Sequence, residues 1–180
     1  MKYVRWALLI FLALVCSIAA TIFLMGLREG ADSMSNRVEI NRPAAVVWTY
    51  LDDPVKAKSW VGSLKEIKQL TPGAKGVGTK EVWVMTDQNN AAQQIEIQSE
   101  ITVDEAPKRL TVKLIERETF SGTTNYLLED LGGNRTALTV SSTFHFNYGF
   151  ARFLQPIIMR MATAKMAEDL DRLKAVAERE

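Results

Sequence analysis

The chain has 180 residues, 22 of them Lys or Arg and 21 Asp or Glu, for a formal charge of +1. That length suits one globular domain with little left over, and the charge balance argues against the basic working surface of a nucleic-acid binder. One Cys rules out an intrachain disulfide. One His rules out a His-rich metal site and leaves any Ser/His or Cys/His catalytic centre dependent on that residue.

Residues 6–27 form an apolar run whose polar members are Ser17 and Thr21. As a helix it would be roughly 33 Å long at about 1.5 Å per residue, enough to cross a hydrocarbon core of about 30 Å. A cleavable signal peptide needs a shorter apolar region before a small-residue cleavage site. Ser17-Ile18-Ala19 is the best such site, yet Thr21-Ile22-Phe23-Leu24-Met25 continues apolar past it. Cys16 is a poor lipoprotein site, because Leu14 and Val15 precede it. Length therefore favours an uncleaved transmembrane anchor over residues 1–27. Lys2 and Arg5 crowd its start, which places the amino terminus inside and the domain on the extracytoplasmic side of the inner membrane. Residues 28–36 read as a tether and 37–180 as the domain, whose bases and acids balance and call for no polyanionic partner.

In the domain, Val38 and Ile40 alternate in a first strand, 37–41, which Pro43 stops. Pro43 also opens a helix over 44–51, and Asp53 caps a second short helix ending near Trp60. Period-two alternation then predicts strands at 64–70, 78–86, 94–104, 109–117, 123–131 and 135–146. Thr71-Pro72-Gly73, Asp87-Gln88-Asn89-Asn90, Ala106-Pro107-Lys108, Ser121-Gly122 and Gly132-Gly133-Asn134 mark the turns between them. A stripe of Leu154, Ile158, Ala162, Met166, Leu170, Leu173 and Ala177 predicts a long last helix over 150–177. Pro156 either kinks it or sets its regular start near Gln155. The fold class is α+β, an antiparallel sheet covered by helices.

This order resembles the SRPBCC superfamily, the START, Bet v 1 and polyketide cyclase/dehydrase-like helix-grip group. The residues that carry the resemblance are Arg42-Pro43-Ala44-Ala45-Val46-Val47-Trp48, Asp53-Pro54 leading to Trp60, and the ending Leu170-Asp171-Arg172-Leu173-Lys174-Ala175-Val176-Ala177-Glu178. It implies a curved seven-stranded antiparallel sheet around the C-terminal helix, with two short helices after strand one and an N-terminal transmembrane helix ahead of the domain. It also implies an apolar cavity between sheet and helix that takes lipids, sterols, polyketides, hormones or quinones.

By phase, the residues expected to face that cavity are Ile97, Ile101, Val112, Leu114, Tyr126, Leu128, Val140 and Phe144 on strands, with Leu154, Ile158 and Met161 on the helix. Trp48 and Trp60 sit on the short helices that close one end. Ser99 and Ser142 interrupt apolar faces, where an unpartnered hydroxyl is costly; they either orient a ligand or bond to backbone. Glu116 lies near a strand end and reaches solvent. His145 falls on the wet side of its strand, and Asp52-Asp53 reads as a helix stop and cap.

The glycine-rich stretch 72–78 runs into a strand, so it is no phosphate loop. It is either a gate at the cavity mouth or an ordinary connection. No catalytic residue, metal ligand or cofactor is assigned, and an enzyme is the less favoured reading. The expected function is membrane-tethered binding of a hydrophobic small molecule, with residues 6–27 in the membrane. The alternatives are a cavity-free interaction domain for a membrane protein partner and a polyketide cyclase/dehydratase-like enzyme.

Overall fold

The hairpin of β6 (Phe120–Gly132) and β7 (Arg135–Phe146) is the spine of the sheet. Its turn puts Gly132, Gly133 and Asn134 at φ 75°, 61° and 59°, the left-handed region that glycine and asparagine reach at least cost. The protein is described by a computed structural model covering residues 2–26, 32–86, 93–116, 120–147 and 149–179. In it the hairpin joins β1 (Asp32–Ile40), β2 (Leu64–Gln69), β3 (Lys80–Thr86), β4 (Gln94–Glu105) and β5 (Arg109–Glu116). The sheet is seven-stranded, in the order β1-β7-β6-β5-β4-β3-β2, with every neighbour antiparallel. The helices are α1 (Lys2–Gly26), α2 (Ala44–Asp52), α3 (Pro54–Trp60) and α4 (Gly149–Ala177). The expected α+β helix-grip architecture is therefore present.

Local chemistry explains the short helices. Asp53 ends α2 and caps α3, its Oδ1 accepting from the backbone N–H of Val55 at 2.7 Å. Such a cap contributes about 1 kcal/mol. Trp60 at the end of α3 donates its indole N–H to the Tyr50 carbonyl at 2.8 Å, binding the two helices together.

Two strand starts depart most from the sequence reading, and the alternative left open at Pro156 is resolved. β1 begins at Asp32, inside the span read as a tether, because residues 32–36 pair with β7 from Asp32↔Phe144 to Asn36↔Val140. Met34 is the one apolar residue there, so cross-strand pairing and not alternation makes the strand. β6 begins at Phe120, so Ser121 and Gly122 lie within a strand and not in a turn. Gly122 permits Phe144 to lie across it: a Cβ there would stand 2.5 Å from the Phe144 ring. Pro156 falls inside α4, which runs unbroken from Gly149. The turn at 87–90, tether residues 28–31, Leu27 and Arg117 lie outside the described residues.

α4 crosses the sheet and divides the interior into two clusters. The larger joins α2, α3 and the second half of α4 to the sheet through Ile40, Val47, Trp48, Leu51, Leu138, Leu173 and Ala177. The smaller joins the first half of α4 to the sheet end through Phe146, Ala151 and Met159, with Met34, Phe120, Phe144 and Ile158 against it. The space between these clusters is not filled.

Candidate ligand-binding site

That space is an open pocket of about 240 Å³ under the middle of α4. Val140, Ser142 and Phe144 of β7, with Tyr126 and Thr124 of β6, form its floor. Trp83 and Met85 of β3 close one side, Met34 of β1 the other, and Ala162, Met166 and Leu170 of α4 roof it. These side chains converge because odd or even positions of one strand share a face, and because α4 presents the same face every three or four residues.

The lining is mainly apolar, with polar groups in three places. On the floor, Thr124 Oγ1 and Ser142 Oγ hydrogen-bond to each other at 2.8 Å, and both residues are buried. Paired hydroxyls avoid the cost of burying unpartnered polar atoms. At the rim, the Asp169 carboxylate accepts from the Gly62 backbone N–H at 3.1 Å, from Lys165 Nζ at 2.9 Å and from the Arg172 guanidinium. Arg172 Nε also donates to the Trp60 carbonyl at 3.0 Å. This cluster fastens the turn after α3 to α4. Burial lowers the Lys165 pKa, the Arg172 charge adds to that, and Glu168 opposes it. Third, burial pushes the Tyr126 hydroxyl up to about 12, so at neutral pH it is a neutral hydrogen-bond donor.

A smaller void of about 10 Å³ lies beyond the pocket, lined by Leu51, Ala57, Lys75, Glu81, Ile101, Leu110 and Val112 together with Trp60, Trp83 and Tyr126. Glu81 is 2% exposed. Lys75 Nζ stands 3.1 Å from its Oε1, and the Trp83 indole N–H donates to its Oε2 at 3.3 Å.

A model of the family described as polyketide cyclase / dehydrase and lipid transport matches residues 31–178. The chain belongs to this family. Solved structures with the same fold include the Zhui aromatase/cyclase from Streptomyces sp. R1128, at 18% identity and a TM-score of 0.66, covering 83% of this chain and 95% of that one. A START superfamily protein from Mycobacterium smegmatis is 15% identical with a TM-score of 0.67, covering 83% and 99%. An Arthrobacter aurescens protein solved by NMR is 21% identical with a TM-score of 0.63, covering 84% and 92%. No curated protein sequence matches significantly.

In this member of the cyclase and lipid-transport family, the expected site residues fall in several places. Trp60, Tyr126, Val140, Ser142 and Phe144 line the pocket, and Ile101 and Val112 line the void. Trp48 and Leu128 are buried in the large cluster, with Leu114 half-buried against it. Ile97 is half-buried, and Ser99 is buried with its hydroxyl 3.5 Å from the Glu81 carbonyl. On α4, Leu154 is half-buried and Ile158 packs on the small cluster. Met161 is corrected: it is 54% exposed and lines neither the pocket nor the void. It sits one residue, about 100° of helical turn, from Ala162.

Other expectations resolve plainly. His145 is exposed. The 72–78 loop is a pinned connection and not a free gate: Lys75 donates to the Asp52 carbonyl at 2.8 Å, and the Gly78 N–H to the Ile101 carbonyl at 2.8 Å. Among the described residues, no three His, Cys, Asp or Glu side chains are placed to hold a metal ion.

The sequence reading missed Met34, Trp83, Met85, Glu81 and the rim cluster. β3 carries apolar residues in both phases (Val82 and Val84 against Trp83 and Met85), so alternation could not name its inward face. Met166 and Leu170 were in the helical stripe, but nothing local distinguished a pocket roof from packed core.

Proposed function

We propose that the protein binds a hydrophobic small molecule in the pocket under α4 and is held in a membrane by α1. The pocket itself carries the reading. At about 240 Å³ it exceeds the cavity of ~150 Å³ that takes up benzene in an engineered protein core. Its apolar walls and few convergent polar groups are the usual make-up of a small-molecule site. Family membership supports the same class of ligand. An open pocket also favours binding over a cavity-free interaction domain. Catalysis has less support: Asp169, the carboxylate in the lining, is already shared among three donors, and the Thr124 and Ser142 hydroxyls satisfy each other.

The tether rests on α1. Tyr3–Thr21 has a mean hydropathy of 2.1 and is unburied, so by length and composition it can cross a bilayer. Met34 of the pocket wall lies a few residues beyond the end of α1.

Photolabelling tests both parts at once. Membranes from cells making the full chain are irradiated with a diazirine-bearing alkyl probe, and the labelled peptides are mapped. The expected result is two labelled groups, one in α1 and one at Met34, Phe144 or Met166. Label in α1 alone contradicts the pocket, label in the pocket alone contradicts the membrane span, and label in neither contradicts both.

A further inference from the structure

The two edges of the sheet differ. β1 packs against α4, where the Asn36 side chain donates to the Thr163 carbonyl at 2.9 Å. β2 ends the sheet on the other side. Near its close the Leu70 N–H donates to the Lys80 carbonyl of β3 at 2.8 Å. Backbone groups alternate between the two sides of an antiparallel strand. Glu66 and Lys68 therefore also turn their backbone toward β3, opposite Val84 and Val82, while Ile67 and Gln69 turn theirs outward. Among the described residues, nothing bonds to those outward groups.

The side chains add a charge pattern. Glu66 and Lys68 share one face of β2, each about half exposed, with Lys68 Nζ 3.5 Å from Glu66 Oε2. Both have a valine directly across on β3, so that strand offers neither of them a charged neighbour at its own position. Lysines on an exposed edge ordinarily keep other strands away. A second copy of the same edge is the exception, because Glu66 gives each copy an acid to set against the other's base.

Pairing two identical strands antiparallel requires a two-fold axis, and the outward groups of Ile67 meet outward groups of the second copy with the axis at Glu66, Ile67 or Lys68. The first choice sets Glu66 against Glu66 and the third Lys68 against Lys68, and like charges directly opposite are destabilising. The axis at Ile67 instead sets each Glu66 against Lys68 of the second copy, twice over. Those are the non-hydrogen-bonded positions, where facing side chains stand closest. Ile67, half-buried, meets Ile67 and exchanges both backbone hydrogen bonds with it. We propose that two copies of the chain join edge to edge through β2 in this register. The proposal is independent of the pocket reading.

The test is sedimentation equilibrium of the full chain in density-matched detergent, with micelles in excess, over a range of protein concentrations. The native chain is expected to show a concentration-dependent monomer–dimer equilibrium. Glu66→Lys alone and Lys68→Glu alone should each raise the dissociation constant at least about tenfold, since either one turns two attractive pairs into two repulsive ones. The double variant Glu66→Lys/Lys68→Glu should return to within about threefold of the native value, because the two changes are coupled across the axis. An equimolar mixture of the two single variants should likewise dimerise, each supplying the charges the other lacks, which also shows that both are folded. A native chain that stays monomeric at every concentration overturns the proposal. So does a dimer that both single variants leave intact, which would point to association through α1. A loss that neither the double variant nor the mixture restores overturns the register, and the proposal with it.

Discussion

Ala162→Trp should weaken binding of 2-methoxynaphthalene at least tenfold, about 1.4 kcal/mol, with little change in Tm. Ala162 roofs the pocket from α4 and faces Val140, Ser142 and Phe144 across it. An indole at this position projects into the space the ligand needs. Overpacking is costly where side chains already fill the interior, but here the added ring enters the gap between two clusters. Calorimetry gives the affinity and a thermal melt gives the stability. An unchanged dissociation constant in a folded variant would place the ligand elsewhere.

Leu173→Ala should be the most destabilising single change on α4, by about 2–5 kcal/mol. At about 2–4 °C per kcal/mol for a chain of this size, Tm falls by roughly 4–20 °C. Leu173 is 0% exposed and belongs to the large cluster with Ile40, Trp48 and Leu138. Truncating it leaves a void where α4 is clamped by strands and both short helices. Met161→Ala is the control: an exposed methionine on the same helix should change stability by no more than about 0.5 kcal/mol. A Leu173→Ala loss below about 1 kcal/mol would mean that the second half of α4 is not gripped.

These two substitutions separate the two halves of the fold's design. Residues around Leu173 hold the helix and leave no room, whereas those around Ala162 hold it apart from the sheet. A sheet gripping a helix along its whole length would be a solid core. Here the aromatic and hydroxyl side chains of β6 and β7 and the smaller Ala162 leave the middle open.

Much of this was legible before any coordinates. Strand β7 has the predicted bounds, 135–146, because Leu138, Val140, Phe144 and Phe146 alternate with polar residues. The helix stripe through Leu170, Leu173 and Ala177 is buried as its spacing requires. Val140, Ser142 and Phe144 reached the pocket for the same reason, since phase in a strand with one polar face decides direction.

What was not legible depended on long-range partners. Asp32–Asn36 has no apolar rhythm and becomes a strand only by pairing with β7, which brings Met34 to the pocket wall. Glu81 sits in a strand with apolar residues in both phases, so alternation does not give its burial, and its partner Lys75 comes from the loop before it. Met161 was misplaced because the first half of α4 is apolar on several faces, so a one-residue choice turned the side chain from the pocket to solvent.

The account stands or falls on whether a molecule occupies the space under α4. Native mass spectrometry of the full chain, purified in detergent from its producing cells and released from the micelle in the gas phase, measures this directly. The account predicts a discrete apolar adduct on the native chain that is missing from Ala162→Trp. A native chain that emerges bare and stays bare after titration with 2-naphthol would contradict it, as would an adduct carried equally by both proteins.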